Sequence, residues 1–192
     1  PPGPNNELFL LKLGSLQSEW SRIKFKQEEG TNPPPRWKHT ATLYDPTSIL
    51  LFGGFATSST RLIDVWVFNT ISCEWYQPVQ QGPSSIDGMH PQTNDWPGLP
   101  CPRGGHAASL IDKNVYVFGG YGGFGYGRRE LDDLNVLDTE TWKWSRLTPK
   151  GKGPERRSGH SMVTVENSLY IFGGWNSTTQ FQDLFVLDTQ LD

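Results

Sequence analysis

The chain has 192 residues and a net charge of −3, with acidic and basic residues interspersed; 35% of it is hydrophobic, including eight Trp, ten Phe and six Tyr. That length can bury a sizeable core, and the even charge distribution excludes the concentrated basic patch of a nucleic-acid binder. No run approaches 18 apolar residues, so no membrane-spanning helix is expected, and the 21 Gly and 15 Pro favour tight turns over long helices.

In chain order, residues 7–24, "ELFLLKLGSLQSEWSRIK", read as two strands with Trp20 in the second. A longer unit occupies residues 36–79. It opens with "RWKH", runs through a strand "HTATLY" and a polar turn "DPTS", and reaches an apolar strand "SILLFGG". A loop over 55–63 leads to "DVWVFNT" and then to a strand carrying Trp75. Residues 80–102, rich in Pro, Gly, Ser and Asn, read as an inserted loop, either a tolerated insertion, since loop length costs little, or a binding arm anchored by Trp96. The unit then returns over 103–148, with "RGGH", "NVYVFGG", a loop at 121–132, "DLNVLDT" and Trp144. Over 157–189 it returns again with "RSGH", "SLYIFGG", a loop at 175–182 and "DLFVLDT", but without a tryptophan strand.

The order never changes, which marks a repeat architecture. Each full unit predicts four short strands, here termed A to D, with turns between A and B so short that the strands must be antiparallel neighbours. Strand B is apolar at successive positions, so both faces of each small sheet are covered. Sheets of that kind, repeated about every 50 residues, stack as blades around an axis. The diglycine closing strand B marks backbone that needs positive φ or close approach to a neighbouring blade, because a glycine pair in an extended segment otherwise costs about 1–2 kcal/mol.

These units resemble kelch repeats. The diglycine, the Asp-led C strand and the spaced tryptophan carry the likeness, together with the Gly-x-x-Pro-x-x-Arg-x-x-His approach in "GTNPPPRWKH" and "GKGPERRSGH". In "PGLPCPRGGH" the glycine is displaced. The style is similar to host cell factor, Tea1-type polarity factors and the Rab9 effector more than to the BTB-kelch group. The resemblance implies an all-β fold: one kelch β-propeller across 1–192, with 7–24 a partial blade (C and D) and 157–189 another (A to C). At about 3.5 blades, it is expected to be an incomplete portion of a larger, six- or seven-bladed ring. It also implies that B–C and D–A loops share one face and that partners bind there.

On that face Tyr121, Phe124 and Tyr126 are interleaved with glycines ahead of Arg128 and Arg129; aromatics with arginine are typical of recognition surfaces, and the alternative is that these rings fold back over the blade edge as local packing. Phe55 and Trp175 begin the other two B–C loops and join the candidate set. Arg36, Arg103 and Arg157 recur where each D–A loop enters strand A. They could clamp acidic groups of a partner peptide or pin neighbouring backbone carbonyls.

His39, His106 and His160 recur too, but strand alternation and the lack of a paired carboxylate argue against a metal set. Cys73 and Cys101 fit neither a disulfide framework nor a zinc pattern, nor the Tyr–Cys radical site of galactose-oxidase-like copper enzymes. The expectation is a non-catalytic scaffold or adaptor that binds other proteins, without cofactor, nucleic acid or membrane span. Its expected setting is cytoplasmic, with nuclear, ciliary or cytoskeletal settings as alternatives. A permanent structural block in a large assembly is the second reading, and an enzyme the third.

Overall fold

The computed structural model describes residues 5–25, 31–80, 99–123 and 125–190. Strands β1 (Leu8–Leu13) and β2 (Ser18–Ile23) form an antiparallel pair. The next sheet is a meander of β3 (Thr40–Asp45), β4 (Ser48–Phe52), β5 (Val65–Asn69) and β6 (Glu74–Tyr76). A two-residue strand β7 (Arg103–Gly104) precedes β8 (Ala107–Ile111) and β9 (Asn114–Phe118). Two more short strands follow, β10 (Tyr121–Gly122) and β11 (Arg129–Glu130), then β12 (Leu134–Asp138) and β13 (Lys143–Leu147). Strands β8, β9, β12 and β13 make the second four-stranded sheet. The last blade orders β14 (Ser161–Val165), β15 (Ser168–Phe172) and β18 (Leu184–Asp188), with the small hairpin β16 (Trp175–Asn176) and β17 (Thr179–Gln180) between the latter two.

This is the expected all-β fold, with blades of four antiparallel strands stacked side by side. The described sheets stand as an open array, not a closed ring. Innermost strands β3 and β14 flank β8, and hydroxyl contacts cross between blades there: Ser109 Oγ lies 2.7 Å from Thr164 Oγ1. Among the described residues no helix is long and apolar enough to cross a membrane.

The core lies between blades, not within them, because each sheet is only one layer thick. Leu50, Phe52 and Val65 of one blade meet Val115, Val117, Leu137 and Trp144 of the next. Tyr116, Phe118, Leu134 and Val136 in turn meet Met162, Leu169 and Ile171. Strands β4, β5, β9 and β12 are therefore buried on nearly every residue, as successive apolar positions require. The outward face of the last blade is different: Val163, Val165, Phe172, Leu184 and Val186 are exposed.

The middle diglycine shows what the doublet does. Gly119 and Gly120 have φ of 64° and 95°, in the region L-residues avoid. A Cβ on Gly119 would stand 2.7 Å from the Arg157 carbonyl oxygen, and one on Gly120 would stand 2.9 Å from His106 Cβ. The tight approach lets Gly120 N–H donate to Arg157 O at 2.8 Å, while Arg157 N–H donates to Leu131 O at 3.0 Å. The same pair of bonds joins the preceding blade, from Gly54 N–H to Arg103 O and from Arg103 N–H to Leu62 O. Positive φ and proximity act together: the doublet is the hydrogen-bonded seam between blades.

Candidate functional site: the loop face

The segment entering each A strand is fixed by its arginine. Arg103 donates from Nη1 and Nη2 to Asp133 Oδ1 and Oδ2, both at 2.7 Å, from Nη1 to Gly119 O at 3.0 Å, and from Nε to Cys101 O at 3.1 Å. Arg36 repeats this on Asp64, Gly53 O and Pro34 O, and Arg157 on Asp183, Gly173 O and Glu155 O. Each side chain thus ties the start of A, the end of B and the start of C within one blade. All three arginines are buried. Burial opposes ionisation of Asp133, but its hydrogen bonds and charge contact with Arg103 outweigh that and hold the carboxyl below the usual range. The expected clamp on a partner's acidic group is corrected accordingly: an internal aspartate already fills each guanidinium fork.

Two of the three histidines pack against the preceding blade. The His106 ring lies edge-on to Phe52 of the preceding blade, 5.1 Å between centroids, with Nε2 at 2.9 Å from Thr40 Oγ1. His160 repeats the ring contact on Phe118 at 5.4 Å. Burial, aided by Arg103, pushes His106 well below the ordinary imidazole value, and burial with Arg157 pushes His160 down to about 4. Both rings are therefore neutral in the folded chain, whereas unfolding frees them to protonate near 6.5.

Stability from these rings is complete above about pH 7 and is lost as pH falls from 6.5 toward 4. His160 alone should forfeit about 2 kcal/mol between pH 7 and pH 5. Thermal melts across that range check this, and His160→Asn should flatten the profile relative to the parent. A parent profile already flat would mean the rings are solvated.

The loop face has a second tier of pairing that the strand pattern does not announce. In each blade the residue after the arginine pairs with the residue after the diglycine: Trp37 with Phe55, Gly104 with Tyr121, Ser158 with Trp175. The second member then pairs across the B–C loop with Arg61, Glu130 or Gln180. So the B–C loops are short hairpins fastened to the D–A approach. One rung further in, Gly159 N–H donates to Gly105 O at 2.8 Å and Gly105 N–H to Lys38 O at 2.9 Å, a backbone ladder across the three blades.

These pairs decide what each candidate side chain can reach. Phe55 is buried, stacked 5.4 Å from Trp37 and seated over Gly104, where a Cβ would meet its ring at 2.2 Å. Its place in the contact set is corrected: it packs the approach segments. Tyr121 is half-buried, Trp175 is 47% exposed, and Arg128 and Arg129 are exposed. Tyr126 falls in a single 3₁₀ turn, Gly125–Gly127, while Phe124 and Trp96 lie outside the described residues.

Two charged residues not singled out from the sequence join the face. Arg61 places its guanidinium 4.8 Å from the Tyr121 ring and 5.2 Å from that of Phe55, and its Nε is buried without a hydrogen-bond partner. Arg61 Nη1 and Arg128 Nη2 both donate to Ser59 O, at 3.2 and 3.4 Å. Burial and the charge of Arg128 lower the Arg61 pKa. Glu130, also buried, accepts from the Ser177 hydroxyl and helps line a cavity of about 350 Å³ with Lys38, Tyr121, Ser158 and Trp175. Among the described residues no group of three or more His, Cys, Asp or Glu is placed to hold a metal.

Comparison with known proteins matches this architecture. A sequence model of the KLHDC2/KLHL20/DRC7 kelch-repeats domain matches residues 2–121 and 88–192. Host cell factor of Drosophila melanogaster is 28% identical over 95% of this chain and 13% of its own length. Acyl-CoA-binding domain-containing protein 5 of Arabidopsis thaliana is 31% identical over 98% of the chain and 28% of its own length. Kelch domain-containing protein 1 of Mus musculus is 27% identical over 91% and 44%. The chain thus spans less than half of each of these relatives. The solved structure of YjhT superposes with a TM-score of 0.61 at 15% identity, covering 93% of this chain and 48% of that one, and shares the fold. The two overlapping matches together run from residue 2 to residue 192, and the chain belongs to the kelch-repeat family.

Proposed function

We propose that the chain is a non-catalytic protein-interaction module that takes its partner on the face formed by the B–C hairpins and D–A approaches. One observation carries this. The Arg–Asp ties are the same in all three blades, whereas the equivalent loop positions carry Arg61, Glu130 and Gln180 beside Phe55, Tyr121 and Trp175. A scaffold held constant beneath a face of differing chemistry suits recognition.

The acidic partner segment suggested by the sequence finds a seat at Arg61, Arg128 and Arg129, since the three repeated arginines are engaged. The two free thiols, Cys73 and Cys101, suit a reducing, cytoplasmic setting. A second reading, a block held permanently in a larger assembly or propeller, is favoured by the exposed apolar face at Val163, Val165, Phe172, Leu184 and Val186.

Alanine at Tyr121, Phe124, Tyr126, Arg128 and Trp175 should weaken partner capture at least about tenfold and leave stability within about 1 kcal/mol. Binding isotherms paired with urea melts on the same variants check both halves. Loss of folding alongside binding would make these side chains packing elements.

A further inference from the structure

Glu130 sits at the second blade's version of the position that holds Arg61 in the first and Gln180 in the third. The residue is 6% exposed. A buried charge is costly unless it is paired, yet Glu130 is in none of the ion pairs among the described residues. Its hydrogen-bond partner is the Ser177 hydroxyl, 3.1 Å from both carboxylate oxygens. One hydroxyl proton serves one oxygen at a time, so the acid keeps accepting capacity.

That capacity borders the cavity of about 350 Å³ on the loop face. Tyr121 and Trp175 stand on its wall, with Trp175 half open to solvent. Lys38 also lines the cavity; it is exposed and forms none of the ion pairs among the described residues. A buried acid sharing one cavity with Tyr121 and Trp175 is chemistry complementary to a cation that is planar and able to donate in pairs.

We propose that this cavity seats an arginine side chain of the partner, its guanidinium on the Glu130 carboxylate and its plane against Tyr121 or Trp175. The proposal rests on the interaction-module assignment and makes it specific. A partner segment crossing from the first blade to the second meets Arg61 and Arg128 and then Glu130. It should therefore carry an acidic group followed by an arginine.

The test is an NMR titration of the protein with three blocked tripeptides, Ac-Gly-Arg-Gly-NH₂, Ac-Gly-Nle-Gly-NH₂ and Ac-Gly-Glu-Gly-NH₂. The arginine peptide is expected to shift the amides of Gly104, Gly105, Ser158 and Ser177, with the other two at least about tenfold weaker at these amides. Glu130→Gln, which keeps the shape and the Ser177 contact, should abolish that preference without lowering the melting temperature. Trp175→Ala, at the open rim, should weaken the arginine peptide several-fold in a folded protein.

Equal shifts from the norleucine peptide, no shifts from the arginine peptide, or undiminished binding to Glu130→Gln would each overturn the arginine seat. Partner capture that depends on Tyr121 and Trp175 but not on Glu130 would overturn this seat alone. Capture indifferent to all three would also overturn the interaction face.

Discussion

Replacing Arg103 by alanine is expected to destabilise the protein by about 3–5 kcal/mol, the usual effect of breaking a buried ion pair from one side. The arginine is fully buried. Its removal leaves the Asp133 carboxylate and the carbonyl oxygens of Gly119 and Cys101 without these donors. Its own N–H and C=O form the seam to the preceding blade, so relaxation there should spread to a second sheet. Arg103→Lys should recover only a minor part, because an ammonium cannot reproduce the bidentate fork or reach both carbonyls.

The informative comparison is Arg103→Met with Asp133→Leu. Replacing both members of a buried pair by apolar groups is often close to neutral, so the double variant should be more stable than either single one. Urea denaturation of the four proteins yields the coupling directly. A single-variant loss below about 1 kcal/mol would mean that the tie contributes little beyond surface-pair strength.

Much of this architecture could be read from the residues because the repeated features are chemical necessities. Positive φ excludes most side chains at Gly53, Gly119 and Gly173 and their successors, so the doublets stand out against any strand background. Equally, the arginine and the strand-C aspartate recur together because each completes the other. What the sequence left open was which role the arginines take, since a guanidinium facing a carboxylate suits an internal tie and an external clamp alike. Their recurrence in every blade favours a structural hold on backbone carbonyls; the structure has such bonds to Gly53, Gly119 and Gly173 O, and adds the strand-C aspartates, which the sequence alone does not pair with them.

The loop face was less legible. Pairing of a two-residue strand is set by how a loop folds back on the approach segment, and no alternation can develop over two residues. Phe55 looked equivalent to Tyr121 and Trp175, but the residue after its arginine is Trp37, where the other blades have Gly104 and Ser158. That one large neighbour covers Phe55. Arg61 and Glu130 had a usable signal: each stands three residues before its strand-C aspartate, as does Gln180. Position within the repeat, not residue type, was the clue.

The tryptophans test the claim that stability resides between blades. Trp144 is 3% exposed; it packs 5.0 Å from Phe52 of the preceding blade, and its Nε1–H donates to Gln80 Oε1 at 2.7 Å. Trp144→Ala should therefore destabilise by about 3–5 kcal/mol, as large core truncations do. Trp144→Phe keeps most of the contact with Phe52, Val115 and Leu137 and should lose about 1 kcal/mol, chiefly the Gln80 bond. Trp75, half-buried against Phe68 at 4.9 Å, should fall between. Trp20 occupies the same slot by sequence, but at 66% exposure it has little packing to forfeit, so Trp20→Ala should stay within about 1 kcal/mol. Chemical denaturation of the three alanine variants should rank them Trp144, Trp75, Trp20. Equal losses would locate the stabilising contacts within each sheet, and since a single layer has no interior of its own, that would undo the stacked-blade account of this chain.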